Sequence, residues 1–270
     1  AGASNSWAAM PGRSAAGGSL LANDPHLGLT APTIWYLARL ELQSGGVIGG
    51  TIPGVPVVLV GRSDRLGWGL TTAYVDDQDV LIEELNPANP EEYRTPDGWA
   101  AFDSRQSIIT VKDADPVTLT LRWSRNGPIL SGGHFDLGTI TPGGHVAALA
   151  WTALAGDDTS MSGAMRLMRS GTVAEALEAG RLHVAPAQNM MLADANGIAL
   201  QVVGRMPARD VGNPGKGRLP VLGADPAAGF KGMLPYEENP RFVNPESGLL
   251  GNTNNKTVDR PFPNHVSFDW

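Results

Sequence analysis

Short apolar runs separated by Gly and Pro recur along this chain, and that pattern predicts a strand-rich fold with many turns. The chain contains 34 Gly and 21 Pro residues. Residues 117–121 alternate strictly between apolar side chains and Thr, which predicts a strand with one wet face. The predicted strands are residues 4–9 with 20–22 as their returning partner, 33–42, 68–73, 80–85, and a hairpin of 107–111 with 117–123. The apolar residues 57–60 are predicted to be buried.

Helix-forming pattern is scarcer and is concentrated after residue 155. We predict one short helix over residues 160–169 and a stronger one over residues 172–183. Thr172 and Glu175 form the S/T-x-x-E capping box. In this motif the side chain of each residue accepts a hydrogen bond from the backbone N–H of the other.

The last third of the chain is rich in turn signals. Asn196-Gly197 lies between two apolar runs, 189–193 and 198–203, and this predicts a hairpin. From 204 to 255, Pro and Gly interrupt almost every apolar run, so we predict mostly loop. A loop of that length inside a domain is usually functional or packed against something.

Composition narrows the class of protein without changing this picture. A chain of 270 residues can bury a sizeable core in one large domain or two modest ones. Hydrophobic residues make up 42% and charged residues 17%, as in globular proteins. A net charge of -7, with no basic stretch carrying interleaved aromatics, argues against a nucleic-acid partner. No apolar run approaches the roughly 20 residues of a membrane span.

The usual signatures of catalysis are missing. Because cysteine is absent, thiol nucleophiles, disulfides and cysteine-ligated zinc are excluded. Neither a G-x-S-x-G elbow nor a GxxxxGK[ST] phosphate loop occurs. The five histidines have no metal-ligand spacing. A Ser-His-Asp triad assembled from distant residues stays open. The histidines are His26, His134, His145, His183 and His265.

Ser4, near the start of the chain, offers a different chemistry. A serine hydroxyl is a poor nucleophile unless a base lies beside it. A serine at a free N-terminus carries its own base, because an α-amino group with a pKa of about 7.7–8.0 is partly neutral near neutral pH. This chemistry requires that the peptide bond before Ser4 be cut.

Ser4 also opens a series of short motifs that runs in one order almost to the end of the chain. By resemblance to the β-subunit of the penicillin acylase family of N-terminal-nucleophile hydrolases, each motif has a counterpart there. The motifs are SNSW at 4–7, LLANDPHL at 20–27, IPGVP at 52–56, WGLTTA at 68–73, DDQD at 76–79, RNGP at 125–128, PAQN at 186–189, DANG at 194–197 and GNTNN at 251–255.

The resemblance implies roles for four catalytic residues. Ser4 is the nucleophile, and its α-amine, acting through a bridging water, moves the proton. The side chain of Asn254 and the backbone N–H of Thr72 donate hydrogen bonds to the oxyanion. His26 lies beside the nucleophile and supports it.

The resemblance also implies a substrate pocket and a metal site. Val60, Tyr74 and Trp35 correspond to the wall of the acyl pocket, so the substrate is a small N-acyl compound. The alternatives for that compound are a penicillin-like β-lactam and an acyl-homoserine lactone. No organic cofactor is implied.

The acidic loop resembles the family's structural calcium site. Asp76, Asp79 and the backbone carbonyl of Gln78 are the implied ligands, since Ca²⁺ takes roughly six to eight hard oxygens. The alternative is a solvated acidic turn. A further carboxylate expected near Asn264-His265 is missing from the sequence.

The implied fold is α+β, a four-layer αββα sandwich of stacked antiparallel sheets between helical layers, here partial and β-rich. We expect residues 1–270 to be the N-terminal portion of a β-subunit. The partners are then an α-subunit and the remainder of the β-subunit from the same precursor, without which this fragment is expected to be inactive. Residues 1–3 are either uncut precursor or residues added for expression. The implied location is periplasmic, with a cytoplasmic one as the alternative, and a non-catalytic scaffold is the competing functional hypothesis.

Overall fold

Strands form most of the regular structure of the computed structural model, which describes residues 4–259. In chain order they are β1 (Asn5–Ala9), β2 (Leu20–Asp24), β3 (Tyr36–Leu42), β4 (Gly45–Thr51), β5 (Val60–Ser63), β6 (Leu66–Thr72), β7 (Gln78–Asn86), β8 (Asn89–Thr95), β9 (Gly98–Ala101), β10 (Asp103–Ile109), β11 (Val117–Ser124), β12 (Gly127–Pro128), β13 (His145–Trp151), β14 (Gln188–Asp194), β15 (Ile198–Val203), β16 (Pro207–Arg209), β17 (Val221–Leu222), β18 (Phe230–Met233), β19 (Arg241–Val243) and β20 (Leu249–Asn252). The α-helices are α1 (Ser160–Leu167) and α2 (Val173–Gly180), and 3-10 turns lie at Pro11–Arg13, Thr152–Leu154 and Tyr236–Glu238.

The chain divides into two units. The first comprises the chain up to Asp76, Ala155–Met206, and the chain from Leu234 onward. The second comprises Asp77–Leu154 and Pro207–Met233. No helix within residues 4–259 is long and apolar enough to cross a bilayer.

A seven-stranded antiparallel sheet organises the first unit, in the order β19-β15-β14-β6-β5-β4-β3. Side chains of a strand point alternately to its two faces. On β14, Met190 and Leu192 belong to the core shared with the helices, whereas Met191 and Ala193 belong to a second core on the opposite face. The sheet is therefore covered on both faces.

The second face is covered by a three-stranded antiparallel sheet, in the order β2-β1-β20. Ala8 of β1 is buried against the large sheet, together with partly buried Leu21 and Leu250. Within the described residues, the first unit thus has three of the four predicted layers: helices, large sheet and small sheet. The outer face of the small sheet leaves Trp7 and Leu20 about half exposed, and a fourth layer over it stays a prediction.

Most predicted elements of the first unit are present with shifted ends. Strand β3 begins at Tyr36, three residues after the predicted start, and both helices end two or three residues early. The capping box at α2 is present in modified form. Thr172 Oγ1 accepts from the Glu175 N–H at 3.2 Å, but the Glu175 carboxylate accepts from the Gly171 N–H at 2.6 Å rather than from Thr172.

The second unit contains the sheet β13-β7-β8-β9, with β17 pairing in parallel with β7. The predicted hairpin is the β10–β11 ribbon, and Ile109 pairs with Val117. The prediction of one wet face on β11 was wrong: Val117 and Leu119 are exposed like the Thr residues between them. No layer covers that face within the described part of the chain.

The prediction that residues 204–255 are mostly loop is confirmed, but the loop is interrupted by paired segments. Five short strands, β16 to β20, form in that segment. Their partners are distant in sequence, as in the pairing of β20 with β1. Two- to four-residue strands that pair at long range leave no periodic pattern of their own.

Two glycines allow the close approach of β4 and β5, and substitution of one of them tests whether stability depends on that approach. Gly49 pairs with Gly61, and a Cβ on Gly49 would lie 2.1 Å from the Val60 carbonyl oxygen. We expect Gly49→Ala to lower the free energy of unfolding by about 1–3 kcal/mol, because the strands must separate. Urea unfolding measures this change. Gly156→Ala, which has nothing within 4 Å of the added carbon, is the control, and equal effects of the two changes would contradict the prediction.

Candidate active site

Ser4 lies immediately before β1, with its side chain turned into the protein. Alternate residues Ser4, Ser6 and Ala8 are buried, whereas Trp7 faces outward. Ser4 is only 7% exposed. Its Oγ accepts a hydrogen bond of 2.9 Å from the backbone N–H of His26. The hydroxyl therefore has a fixed position at the end of a central strand.

His26 contacts Ser4 through its main chain. The imidazole Nε2 lies 3.5 Å from the Asp24 carboxylate, and about half of each of these two side chains is exposed. The structure thus brings His26 beside Ser4, as the sequence predicted, and the observed contact does not depend on the identity of the side chain.

Asn23 ties this strand pair to the large sheet, a role that the sequence analysis did not assign. Its Nδ2 donates to the carbonyl oxygens of Asn5 (2.8 Å) and Leu70 (3.0 Å), and its Oδ1 accepts from the Leu70 N–H (3.2 Å). Gly69 makes room, because a Cβ there would lie 2.6 Å from that of Asn23. Asn23 belongs to the LLANDPHL motif, and membership of that motif is the signal that could have identified this residue from the sequence.

Asn254 is brought to the same end of the small sheet by strand register. Strand β20 runs antiparallel to β1, with Asn252 opposite Ser6. Asn254 follows that pair by two residues and Ser4 precedes it by two, so both emerge at one end. The backbone of Asn254 is left-handed (φ +66°), a conformation that asparagine tolerates better than most residues.

The carboxamide of Asn254 is oriented by Thr72. Asn254 Nδ2 donates to the Thr72 carbonyl oxygen at 2.8 Å. An amide nitrogen carries two hydrogens, so a second one is available for an acceptor in the site. Thr72 ends β6; the sequence prediction used its N–H, whereas the contact with Asn254 uses its C=O.

Two of the three predicted wall residues lie together. Trp35 and Val60 flank Gly50, since a Cβ on Gly50 would lie 3.1 Å from the Trp35 ring and 3.3 Å from Val60 Cγ2. Trp35 and His26 also line one groove of about 460 Å³. Tyr74 is 54% exposed, has a left-handed backbone (φ +47°) and is not among the groove-lining residues.

A larger cavity, of about 760 Å³, lies away from Ser4. It is lined by Leu66 and Gly67, at the opposite end of β6 from Thr72. At about 3.3 Å per residue, the six residue steps from Leu66 to Thr72 along β6 correspond to about 20 Å. We assign the candidate site to the groove lined by His26, because the backbone N–H of His26 holds the Ser4 hydroxyl. Ser4, Val60 and Asn254 are not themselves among the residues that line this groove.

The acidic loop does not have the form of a ready calcium site. Asp79 accepts hydrogen bonds on both oxygens from Arg209, at 2.9 to 3.2 Å, and both side chains are largely buried. Among residues 4–259, no group of three or more His, Asp or Glu side chains is arranged to hold a metal ion. Calcium binding stays a prediction, and an ion bound by Asp79 would have to displace Arg209.

The other residues of the acidic loop lie where the two units of the chain meet in sequence. Asp76 is buried and ends the first unit, whereas Gln78 starts β7 in the second unit. Burial raises the pKa of Asp77, and a hydrogen bond from Thr152 opposes that shift. Asn264-His265, like residues 1–3, lies outside the described residues.

Comparison with known proteins gives three kinds of similarity. The family model described as penicillin amidase matches residues 2–270. The chain is 32% identical over 273 residues to acyl-homoserine lactone acylase QuiP of Pseudomonas aeruginosa, covering 99% of this chain and 32% of that protein. It is 29% identical over 269 residues to penicillin G acylase of Escherichia coli, covering 99% and 30%.

The fold comparison agrees with these matches. The structure of a thermostable penicillin G acylase from Alcaligenes faecalis superposes with a TM-score of 0.86 at 22% identity, over 98% of this chain and 46% of that one. The β-rich antiparallel architecture is thus that of a penicillin G acylase. The chain spans about a third of the length of the curated relatives named above.

The contribution of the buried Arg209–Asp79 ion pair to stability can be tested by substitution. We expect Arg209→Gln to lower the free energy of unfolding by about 3–5 kcal/mol, because it leaves the buried Asp79 carboxylate unpaired. The double variant Arg209→Gln with Asp79→Asn removes that charge and should recover much of the loss. Urea unfolding measures both.

The same variants test calcium. Added Ca²⁺ should raise the unfolding midpoint of Arg209→Gln more than that of the unsubstituted protein, since the competing guanidinium is gone. A midpoint that does not respond to Ca²⁺ in either protein would contradict the calcium prediction and leave the Arg209–Asp79 pair in its place.

Proposed function

This chain belongs to the penicillin amidase family of amide-bond hydrolases, and we propose that it supplies the nucleophile of an acylase that cleaves small N-acyl compounds. One observation carries the proposal: the buried Ser4 hydroxyl and the oriented Asn254 carboxamide emerge at the same end of adjacent strands. The nucleophile and a neutral oxyanion donor are the two parts that acyl transfer from an amide requires.

Ser4 Oγ attacks the amide carbonyl carbon of the substrate. The hydrogen bond from the His26 N–H occupies a lone pair of Oγ and leaves the hydroxyl proton free to move. That proton passes through a bridging water to the α-amine of Ser4, which exists once the bond between Ala3 and Ser4 is cut. The amine then protonates the leaving nitrogen, and water hydrolyses the resulting acyl-enzyme by the same route.

Asn254 stabilises the negative charge on the carbonyl oxygen. One hydrogen of its Nδ2 is held by the Thr72 carbonyl, and the second is directed to the oxyanion. The Thr72 N–H is the other proposed donor. Donors of this kind are already oriented before the negative charge develops on the carbonyl oxygen, so they need no reorganisation during the reaction.

The groove lined by His26 and Trp35 takes the acyl chain. Its lining includes Leu27, Leu29 and Ile34, so an apolar chain is the chemical match. The amine side is either a β-lactam nucleus, as the name of the Escherichia coli relative suggests, or a homoserine lactone, as the name of the Pseudomonas aeruginosa relative suggests. Identities of 29% and 32% do not separate the two.

The chain acts together with the rest of its precursor. We propose that an α-subunit and the remainder of the β-subunit complete the enzyme, and that it works in the periplasm. The competing proposal is a scaffold without turnover, in which Ser4 remains blocked by residues 1–3.

Processing and catalysis are tested on the complete gene product. N-terminal sequencing and intact mass should find a chain that begins at Ser4, and Ser4→Ala should abolish release of free amine from N-acyl substrates. We expect Asn254→Ala to lower kcat by about 10²–10³, whereas Asn89→Ala on the exposed β8 turn leaves it unchanged. A panel of penicillins and acyl-homoserine lactones of different chain length identifies the substrate.

His26→Ala separates this mechanism from a triad. It keeps the backbone N–H that contacts Ser4, so we expect most of the activity to remain. Loss of all activity in His26→Ala with little change in Asn254→Ala would favour a triad esterase, and an active enzyme with Ala1 still attached would contradict the proposed base.

A further inference from the structure

Behind Asn254 lies a buried polar cluster formed by Thr71, Asn189 and Asn252. These three side chains are 0–2% exposed, and they come from β6, β14 and the end of β20. We propose that this cluster is a positioning network for Asn254, which sets the direction in which its carboxamide points. The inference rests on the proposed function, because it gives a purpose to the orientation of the oxyanion donor.

The carboxamide oxygen of Asn252 is the centre of the cluster. It accepts three hydrogen bonds: from Thr71 Oγ1 at 2.8 Å, from Asn189 Nδ2 at 3.1 Å, and from the backbone N–H of Asn254 at 2.9 Å. The third bond ties the main chain of the donor residue directly to the cluster. Buried polar groups are held this firmly only when each has a partner, and leaving one unpaired costs about 1–3 kcal/mol.

Asn189, on β14, connects the cluster to the neighbouring strand β6. It lies opposite Thr71 in the β14–β6 pairing, and its Nδ2 approaches Thr71 Oγ1 at 3.2 Å and the Thr72 carbonyl oxygen at 3.3 Å. That carbonyl is the one that accepts from Asn254 Nδ2. Asn189 and Asn254 therefore share an acceptor, and a shift of either changes the position of the other.

Two further bonds secure the loop that carries Asn254. Thr257 Oγ1 donates to Asn189 Oδ1 at 3.0 Å, and Asn252 Nδ2 donates to the Asn255 carbonyl oxygen at 3.3 Å. The loop is thus held on both sides of Asn254. A left-handed residue such as Asn254 persists when its surroundings over-determine it, and here those surroundings are neutral amides and hydroxyls.

Thr71 offers a matched pair of substitutions. Thr71→Val keeps the volume and the branching that suit a strand but removes the hydroxyl, whereas Thr71→Ser keeps the hydroxyl. We expect Thr71→Val to lower kcat by about 10-fold or more with a smaller change in KM, since a misplacement of about 1 Å can cost about 10²-fold. Thr71→Ser should retain most of kcat.

The experiment uses the processed complete enzyme, with kcat expressed per titrated active site so that unfolded protein does not count. Thr95→Val, which removes a hydroxyl at the β8–β9 turn, is the control and should leave kcat unchanged. Thr257→Val is the second variant, should Thr71→Val fail to fold; it removes the bond to Asn189 and should lower kcat in the same direction.

A double-mutant cycle decides the mechanism. If the cluster acts through Asn254, Thr71→Val should have almost no effect in an Asn254→Ala background. An equal loss in both backgrounds, or an unchanged kcat in Thr71→Val and Thr257→Val while Asn254→Ala is impaired, would overturn the network. An Asn254→Ala enzyme with normal kcat would instead contradict the proposed function.

Discussion

The antiparallel pairing of β1 with β20 is the constraint on which the candidate site depends. It joins residues near the start of the chain to residues about 240 positions later, in a register that puts Asn252 opposite Ser6. Because β2 pairs with the other edge of β1, the strand that leads from Ser4 is held by hydrogen bonds on both sides. A serine in that position cannot move without disturbing two ladders.

The space between the two sheets changes character along its length. At one end it is apolar, where Ala8 meets Met191 and Ala193. At the other end the same faces of the same strands carry hydroxyl and amide groups, with Asn189 following the alternation that Met191 and Ala193 establish on β14. Gly67 and Gly69 alternate with the helix-facing residues of β6, and at Gly69 the missing side chain lets Asn23 of the small sheet approach closely. One packing interface therefore supplies both the core and the site.

The sequence predicts what is encoded locally. The β14–β15 hairpin at Asn196-Gly197 and the Thr172 cap of α2 depend on residues a few positions apart, and β1 pairs with β2 at separations of 11 to 19 residues. The roles of Asn23, Asn189 and Asn252 do not. Thr71 and Asn252 are 181 residues apart, and an asparagine in a loop motif has the same local pattern whether or not it has such a partner. The order of the motifs along the chain pointed to Asn254, but the hydrogen-bond partners that hold Asn254 in place become visible only in the folded structure.

The groups that hydrogen-bond to Asn254, and those of the buried cluster behind it, are neutral, and this determines how they can serve catalysis. A fixed cation would attract the oxyanion more strongly, but burying it would cost several kcal/mol without a counter-charge. Amides and hydroxyls avoid that penalty when each is hydrogen-bonded, and their dipoles keep one orientation through the reaction. The arrangement therefore depends on geometry rather than on net charge. In such a site the partners of a donor matter nearly as much as the donor, because a carboxamide that points the wrong way leaves the oxyanion with one of its two proposed donors.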